Sequence, residues 1–228
     1  NNEVYDKLKG MEADLFIVVA FRILPENIIN IPKYGSINVH PSLLPKYRGS
    51  SPIQHAILNG ESETGVSIFK LNKAVDSGDV IIQDSYFINE EINFSDLYIK
   101  LSEFGADLLI KAVNLIDSRK VEYISQEEYG ASSENKITYA KKINIKDCQI
   151  NWNFPAVQIK NQIRAFSKKP GAFTFLNSKK VKIFKSKIFK QYDYTLNESQ
   201  GVSFKGMLLI GTKDFPLQVN LLQFEGKK

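Results

Sequence analysis

Two polar side chains near the end of a predicted strand, Asn38 and His40, are the residues best suited to chemistry. The chain has 2 histidines, so any histidine chemistry uses His40 or His55. Successive strand residues face opposite sides, so Asn38 and His40 point the same way. Ligands of open α/β sheets bind at the carboxyl ends of strands, which is where both residues lie. His55 falls within a predicted helix, where a surface or packing role is the simpler interpretation.

These residue types suit the transfer of a carbonyl group to an amine. The amide of Asn38 can stabilise the oxyanion that forms as the carbonyl carbon becomes tetrahedral. The imidazole of His40 can relay the amine proton near neutral pH. A carboxylate can orient the imidazole or hold a water, and Asp76 and Asp79 in a polar turn are the candidates. Taken alone, the Asn-x-His spacing is weak evidence, because a hydrogen-bonded strand end accounts for it as well.

The first half of the chain predicts alternating strands and helices. Residues 14–20 form a continuous apolar run rich in β-branched residues, which predicts a strand buried on both faces. Residues 36–39 predict the next strand, and the proline-rich stretch 41–52 predicts a loop. Two further strands are predicted at residues 64–71 and 80–87. With helices between them, these strands indicate an α/β domain with an open sheet.

The clearest predicted helix begins near Asn93, which can cap it together with Asp96 three residues later. Its apolar residues recur at three- and four-residue steps and should pack on the sheet. They are Leu97, Leu101, Phe104, Leu108, Ala112 and Leu115. Residues 1–13 resemble the end of a helix that leads into a strand. Shorter helices are predicted at residues 25–29 and from Pro52 to about Asn59.

The second half has a different pattern. Periodicity fades where Ser, Glu and Gln dominate, so we predict a linker at 121–138 between a domain of residues 1–120 and one of residues 139–228. A short helix is predicted around residues 153–166. The predicted strands that follow are residues 172–175, 181–189, 207–210 and 217–224. Their glycines and polar turns predict a small antiparallel β domain, an OB-like barrel.

The net charge of +5 hides a strong asymmetry. Residues 1–138 contain 13 Lys and Arg against 20 Asp and Glu, whereas residues 139–228 contain 17 against 5. A basic second half favours a polyanionic partner, although a lysine-rich solvated surface explains the charge about equally well. Trp152 and Phe166 could stack on bases, but core packing is the simpler interpretation.

Composition excludes several classes of protein. No stretch approaches the roughly 20 apolar residues that span a membrane, and we expect no secretory signal in residues 1–8, which are polar and charged. The single cysteine, Cys148, excludes a disulfide framework and a cysteine-based zinc site. We therefore expect a reducing, cytoplasmic location.

Five short motifs resemble, in type and order, the signature of the 10-formyltetrahydrofolate-dependent formyltransferases. They are Asn38-Val39-His40-Pro41-Ser42-Leu43-Leu44-Pro45, Tyr47-Arg48-Gly49, Pro52-Ile53-Gln54, Thr64-Gly65-Val66 and Asp76-Ser77-Gly78-Asp79. The chain has Ser50-Ser51 where paired alanines are usual, a difference that removes no catalytic group. The resemblance implies a Rossmann-like open sheet.

The resemblance also implies roles for individual residues. Asn38, His40 and Asp76 correspond to a catalytic triad in which the asparagine polarises the formyl oxygen and the histidine assists proton transfer. The aspartate orients the histidine and a water. The formyl donor is the co-substrate 10-formyltetrahydrofolate, and no metal is required. The implied folate site is lined by Ser42, Leu43, Leu44 and Pro45, by residues 21–25 and by the turn before Asp76.

Motifs in the second half resemble the carboxyl-terminal region of the methionyl-tRNA formyltransferases. They span residues 138–143, 150–152, 163–166, 170–172 and 222–228. The resemblance implies formylation of the free amino group of initiator methionyl-tRNA for translation initiation, with no obligate protein partner. A basic domain would neutralise phosphates and position the RNA without selecting it. The expected phosphate contacts are Lys141, Lys142, Lys168 and Lys169, each of which is more simply a solvated lysine.

Relative to that pattern, two parts are expected to lie outside this chain. They are the first two β–α units with the loop that grips the tRNA acceptor end, before Asn1, and a short piece after Lys228. A tagged or processed start is the alternative explanation for the initial asparagine. A chain shortened in this way is expected to lack part of the folate and acceptor pocket.

Two alternatives remain open. One is an enzyme with the same chemistry and another amine acceptor, such as an amino-sugar nucleotide. The other is a catalytically idle RNA-binding module, in which Asn38→Ala and His40→Ala would leave the biological role intact. The simultaneous presence of Asn38, His40 and Asp76 argues against the idle module.

Overall fold

The computed structural model describes residues 2–20, 23–130, 136–191 and 196–227. The chain forms two compact units. The first unit consists of residues 1–52, 63–87 and 99–141, and the second unit consists of residues 53–62, 88–98 and 142–228. The second unit therefore includes two short stretches from the first half of the sequence. The predicted functional division into residues 1–120 and 139–228 stays a prediction.

The first unit is built around a four-stranded sheet. The strands of this unit are β1 (Phe16–Val19), β2 (Ser36–His40), β3 (Arg48–Gly49), β4 (Glu63–Lys70), β5 (Val80–Phe87) and β6 (Tyr139–Ala140). The sheet order is β1-β2-β4-β5, with β1 and β2 parallel and the other pairs antiparallel. The short strands β3 and β6 form a separate parallel pair. Ile37, Ile68 and Phe69 are buried, so β2 and β4 lie at the centre of the core.

The expectation that the first strand is buried on both faces is wrong. Ile17 and Val19 of β1 are 48% and 58% exposed, whereas Phe16 and Val18 are half-buried. Among the described residues β1 pairs with β2 alone, so it is an edge strand with one open face. An apolar run predicts a strand, but its burial depends on neighbours that local sequence does not specify.

Six α-helices occur in the described residues. They are α1 (Asn2–Lys9), α2 (Glu26–Ile29), α3 (Pro52–Leu58), α4 (Phe94–Asp117), α5 (Gln126–Gly130) and α6 (Ala156–Ala165), with a 3-10 helix at Ile145–Cys148. The predicted helices correspond to α1, α2, α3, α4 and α6. Helix α5 was not predicted and lies inside the expected linker. In the part of the chain described here, no helix has both the length and the apolar character to cross a membrane.

Helix α4 begins as its sequence predicts. Asn93 Oδ1 accepts hydrogen bonds from the backbone N–H groups of Ser95 and Asp96 at 2.9 and 3.2 Å. These bonds satisfy amides that have no partner within the first helical turn. The buried members of the predicted stripe include Leu97, Leu101, Leu108 and Ala112. Gly105 lies close enough to the sheet that an added Cβ would be 3.2 Å from Val39 Cγ1.

The second unit contains a five-stranded antiparallel sheet. Its strands are β7 (Ala172–Leu176), β8 (Lys179–Ile188), β9 (Gly201–Phe204), β10 (Met207–Ile210) and β11 (Leu217–Phe224), in the order β7-β8-β11-β10-β9. Strand β9 was not predicted, while the other four were. Register irregularities between Val219 and Leu222 fit a curled sheet. Among the described residues no pairing joins β7 to β9, so a closed OB-like barrel stays a prediction.

Two aromatic residues of the second unit lie in its core. Phe166 is 1% exposed and Trp152 is 7% exposed. The indole N–H of Trp152 donates to Thr174 Oγ1 at 3.0 Å, which satisfies its polar group inside the protein. The core-packing interpretation of both residues is therefore confirmed.

Candidate active site

Strand β2 brings Asn38 and His40 to one side of the sheet. Both residues pair with β4, where Asn38 is opposite Phe69 and His40 is opposite Ser67. His40 is 4% exposed, whereas Asn38 is half-buried. No hydrogen bond from a described residue reaches the Asn38 carboxamide. The described part of the chain therefore leaves this amide available to a ligand.

The two ring nitrogens of His40 have different partners. Nε2 lies 2.9 Å from the carbonyl oxygen of Tyr47. A carbonyl can only accept, so Nε2 carries the proton and the neutral ring has its lone pair on Nδ1. Nδ1 lies 3.7 Å from Asp76 Oδ2, which is too long for a direct hydrogen bond but suits an ion pair with a protonated ring. Nδ1 is thus a base that faces a carboxylate.

Burial sets the protonation state of His40. Burial lowers the pKa of His40 below its usual value, while Asp76 and the hydrogen bond to Tyr47 act in the opposite direction. The net lowering keeps the imidazole neutral near pH 7. A proton that arrives at Nδ1 would be stabilised by the nearby carboxylate. His40 can therefore accept a proton and release it again.

Asp76 is held by the backbone of β3. Its Oδ2 accepts a hydrogen bond from the N–H of Gly49 at 2.7 Å. Gly49 has φ +120, and an added Cβ would lie 2.6 Å from the carbonyl oxygen of Ala140. Both the backbone conformation and the close approach of β6 therefore require glycine. Asp79, the other candidate carboxylate, is exposed, and its carbonyl accepts a bond from Lys70.

The loop after β2 is fixed by hydrogen bonds to its own backbone and to β4. Ser67 Oγ accepts from the N–H of Leu44 at 3.0 Å and lies 2.7 Å from the carbonyl of Ser42. Ser42, Leu44 and Pro45 are buried, whereas Leu43 is half-buried. Of the four residues predicted to line a folate site, Leu43 has the most side-chain surface available. The residues at positions 21 and 22 of that prediction lie outside the described part.

Sequence reasoning missed the residues that support this loop. Tyr47 has φ +61, and its N–H donates to Thr138 Oγ1 at 2.8 Å. The N–H of Arg48 donates to the Thr138 carbonyl at 2.9 Å. These bonds orient the Tyr47 carbonyl that fixes the tautomer of His40. Thr138 occurs in a motif quoted for the family resemblance, but nothing in its spacing links it to the site.

Gln126 is the second missed contributor. It is 3% exposed, and its amide N–H groups donate to the carbonyls of Asp76 and Gly78 at 2.9 and 2.8 Å. Its Oε1 accepts from Arg48 Nε at 2.9 Å. Gln126 is the first residue of α5, in a segment whose composition predicts only a linker. The sequence therefore contains no local signal for this contact.

The four predicted tRNA contacts are all exposed. They are Lys141, Lys142, Lys168 and Lys169. Their role stays a prediction. Across the described residues, no cluster of three or more His, Cys, Asp and Glu side chains could hold a metal ion. The expectation of a metal-free reaction also stays a prediction.

Both parts of the chain match models of one protein family. A model described as formyl transferase matches residues 1–113, and a model described as formyl transferase, C-terminal domain, matches residues 142–228. The methionyl-tRNA formyltransferase of Fusobacterium nucleatum subsp. nucleatum is 37% identical over 231 residues, which cover 100% of this chain and 73% of the relative. The chain belongs to the methionyl-tRNA formyltransferase family. A second member, from Azobacteroides pseudotrichonymphae, is 40% identical and covers 97% of this chain and 70% of its own length.

This chain also resembles solved structures of other proteins. HypX from Aquifex aeolicus, in complex with tetrahydrofolic acid, has a TM-score of 0.74 and 16% identity, and it covers 99% of this chain and 38% of its own. At that identity the likeness shows the fold alone. WlaRD, a sugar 3N-formyl transferase, has a TM-score of 0.72 and 25% identity over 97% of this chain and 77% of its own. The expected formyltransferase fold is thereby confirmed.

Proposed function

We propose that this chain transfers the formyl group of 10-formyltetrahydrofolate to the free amino group of initiator methionyl-tRNA, for translation initiation in the cytoplasm. Methionyl-tRNA formyltransferases cover 84–100% of this chain at 36–42% identity. The observation that carries the mechanism is the position of His40 Nδ1, 3.7 Å from Asp76 Oδ2. A buried neutral base beside a carboxylate suits proton transfer from an amine.

The first step forms a bond between the methionyl nitrogen and the formyl carbon. The formyl oxygen gains negative charge as that carbon becomes tetrahedral. The carboxamide of Asn38 has N–H groups to donate to this oxygen, and it does so without changing its own charge. Because Asn38 lies on a strand of the core sheet, its amide needs little reorganisation.

The second step moves one proton and breaks one bond. The attacking amine becomes cationic, and His40 Nδ1 accepts its proton. The resulting imidazolium is stabilised by Asp76 and by the Tyr47 carbonyl, both of which favour the charged ring. The proton then passes to N10 of the folate as the bond between N10 and the formyl carbon breaks. The products are formylmethionyl-tRNA and tetrahydrofolate, and the protein returns to its starting state.

The substrates are assigned to two regions. The loop of Ser42, Leu43, Leu44 and Pro45 lies directly after β2 and would line the folate site. The basic residues 139–228 would form an OB-like barrel that binds the phosphates of the tRNA, with 17 Lys and Arg against 5 Asp and Glu.

A formyl-transfer assay with 10-formyltetrahydrofolate and charged initiator tRNA tests this function. The assay uses this chain and a full-length version, and we expect transfer by the full-length version and a loss of about a hundredfold or more in its His40→Ala variant, because a general base contributes that much. His55→Ala is the matched control, since it removes the other histidine and should retain the wild-type rate. Wild-type rates in His40→Ala would overturn the mechanism, and absence of transfer both from this chain and from a full-length version would overturn the function.

A sugar nucleotide is the second candidate acceptor. The N-formyltransferase from Helicobacter canadensis, solved with dTDP-3-aminofucose, has a TM-score of 0.67 and 27% identity over 87% of this chain. The same assay with a dTDP-amino sugar in place of tRNA separates the two candidates. Formylation of the sugar without formylation of the tRNA would favour the second candidate.

A further inference from the structure

The turn that carries Asp76 has little support of its own. It connects β4 to β5, and its residues 72–75 are exposed. Within the turn, Asn72 Oδ1 accepts bonds from the Ala74 N–H and the Ser77 hydroxyl, both at 3.0 Å. Asp76 has φ +49, a left-handed conformation that costs a non-glycine residue about 1 kcal/mol or more. Contacts from outside the turn must therefore keep Asp76 in place.

Gln126 supplies such contacts on the backbone side. Its two N–H donors bind the carbonyls on either side of Ser77, those of Asp76 and Gly78, at 2.9 and 2.8 Å. Arg48 Nε donates to its Oε1 at 2.9 Å. Because carbonyls only accept and a guanidinium only donates, the orientation of this amide is unambiguous. A buried side chain with both donors and its acceptor engaged holds its position firmly.

The contacts of Gln126 and of β3 form a closed ring around Asp76. Gly49 binds the carboxylate, and Gln126 binds the backbone carbonyl of the same residue. Gln126 is in turn tied to Arg48, the neighbour of Gly49 along β3. The segment just before α5 is anchored to the start of β5 by reciprocal bonds between Ile124 and Val80, at 2.8 and 3.0 Å. The carboxylate and the backbone carbonyl of Asp76 are therefore both bound to residues outside the turn.

We propose that Gln126 is a positioning residue for the formyl-transfer reaction, and that it acts by holding the Asp76 carboxylate opposite Nδ1 of His40. This inference rests on the proposed function for its catalytic consequence. Among the described residues, Asp76 is the charged group that acts on His40, and the Tyr47 carbonyl accepts from its ring. The Phe69 ring packs against the imidazole in a T-shaped arrangement. Loss of Gln126 lets the carboxylate move away, which weakens its attraction for a protonated ring.

Two neutral substitutions test the proposal in the intact chain. Gln126→Met keeps the length of the side chain and removes all three hydrogen bonds, whereas Gln126→Asn keeps the amide and shortens its reach. Gln162→Met is the matched control. Gln162 also donates to two carbonyls, those of Asp147 and Gln149, at 2.8 and 3.1 Å, but it belongs to α6 in the second unit.

The first measurement is the NMR titration of the His40 imidazole without substrate. A His55→Gln background leaves His40 as the single histidine signal, since the chain has 2 histidines. We expect the pKa of His40 to fall in both Gln126 variants, because the carboxylate that favours the charged ring moves away, and to stay unchanged in Gln162→Met. A pKa of His40 that matches the wild-type value in both variants overturns the proposal. Gln126→Asn decides the question if Gln126→Met does not fold.

The second measurement is the rate of formyl transfer. We expect kcat to fall about tenfold to a hundredfold in the Gln126 variants, with KM for methionyl-tRNA changed less than about twofold. A purely structural effect would lower the amount of folded protein and leave kcat per folded molecule unchanged, which would also overturn the proposal. Absence of transfer both from this chain and from a full-length version would refute the proposed function, while the titration would still decide the position of Asp76.

Discussion

The chemistry of His40 depends on the different surroundings of its two ring nitrogens. Nε2 is bound to a backbone carbonyl that cannot give or take a proton, so proton exchange is confined to Nδ1. Burial keeps the ring neutral by lowering its pKa. We therefore expect formyl transfer to decline as the pH falls through that lowered pKa, because protonated Nδ1 can no longer accept a proton.

The substitution Asp76→Asn removes the negative charge of the side chain and keeps its size and shape. The amide is nearly isosteric and can still accept the bond from Gly49, but it lacks the charge that raises the pKa of His40. We expect the pKa of His40 to fall further and kcat to drop by about a hundredfold. Imidazole titration by NMR and kcat between pH 5 and 8 measure these effects. Asp79→Asn is the control, and an unchanged pKa of His40 in Asp76→Asn would contradict the assignment.

Gly49→Ala tests the close approach of β3 to β6. The added Cβ would lie 2.6 Å from the Ala140 carbonyl, and φ +120 is itself unfavourable for alanine. We expect the substitution to lower the free energy of unfolding by more than about 2 kcal/mol and to abolish transfer. Urea denaturation and the transfer assay measure the two effects.

Gly206→Ala is the control for Gly49→Ala. Gly206 also has a positive φ, of +78, but nothing lies within 4 Å of an added Cβ. Its expected cost is the conformational strain alone, about 1 kcal/mol, with activity retained. Equal losses of stability in the two variants would show that crowding at β6 is unimportant.

The sequence predicted the reactive side chains of the site better than it predicted the groups that hold them in position. Asn38 and His40 follow from strand alternation, because the periodicity of a strand is local. The Tyr47 carbonyl is a backbone group, and its direction depends on bonds to Thr138, which is 91 residues away. Gln126 lies in a stretch without periodicity, so its contact with Asp76 follows only from the folded chain.

Among the secondary structure elements, helix α4 was predicted accurately because a local cap marks where it begins. Asn93 caps α4 in the expected way, because its side chain binds amides within its own sequence neighbourhood. Strand β9 was missed, since Gly201 and Ser203 weaken its strand pattern. Its formation depends on the hairpin with β10, in which Lys205 and Gly206 both have positive φ. The formation of β9 therefore depends on a partner strand that its own sequence does not indicate.

Helix α6 has a cap that comes from elsewhere in the second unit. Asp214 Oδ1 accepts bonds from the N–H groups of Ala156 and Phe215 at 2.7 and 2.8 Å, and from the Thr212 hydroxyl at 3.1 Å. Burial opposes the charge of this carboxylate, but the hydrogen bonds outweigh it and lower the pKa of Asp214. A carboxylate at a helix start is also favoured by the helix dipole.

Asp214→Ala should lower the free energy of unfolding by about 1 kcal/mol at pH 7. Because the folded pKa lies below the unfolded value of about 3.9, the stabilisation is fully present above that value. It is lost as the pH falls through the folded pKa. Urea denaturation of both proteins from pH 7 to pH 3 measures the difference. Asp107→Ala, an exposed change on α4, should cost less than about 0.5 kcal/mol, and a difference independent of pH would contradict the cap.

At the scale of the whole molecule, charge is distributed unevenly along the chain. Residues 1–138 have an excess of acidic side chains, and residues 139–228 have an excess of basic ones. The two compact units do not follow this division, since residues 53–62 and 88–98 belong with the carboxyl-terminal part. Composition along the sequence cannot show that residues 53–62 and 88–98 belong to the second unit. Membership of a unit depends on contacts between residues that are distant in the sequence.

The basic half predicts tRNA binding that depends strongly on salt. If Lys141, Lys142, Lys168 and Lys169 each neutralise a phosphate, the affinity should fall about a hundredfold between 50 and 200 mM salt. Replacing all four with alanine should reduce both the affinity and this dependence, as measured by filter binding across a salt series. Lys111→Ala, an exposed change on α4, is the control. An unaltered salt dependence in the fourfold variant would reject these four lysines as phosphate contacts.

The pairing of β3 with β6 has a consequence for the order in which the protein is made. Asn38, His40 and Asp76 leave the ribosome early, but Gln126 and Thr138, which hold Asp76 and Tyr47, are synthesised some 50 and 91 residues later. A nascent chain that ends at residue 120 would thus contain every reactive side chain but lack the hydrogen bonds that align them. We expect a fragment ending at residue 120 to be inert, and competence to arise only once β6 has emerged.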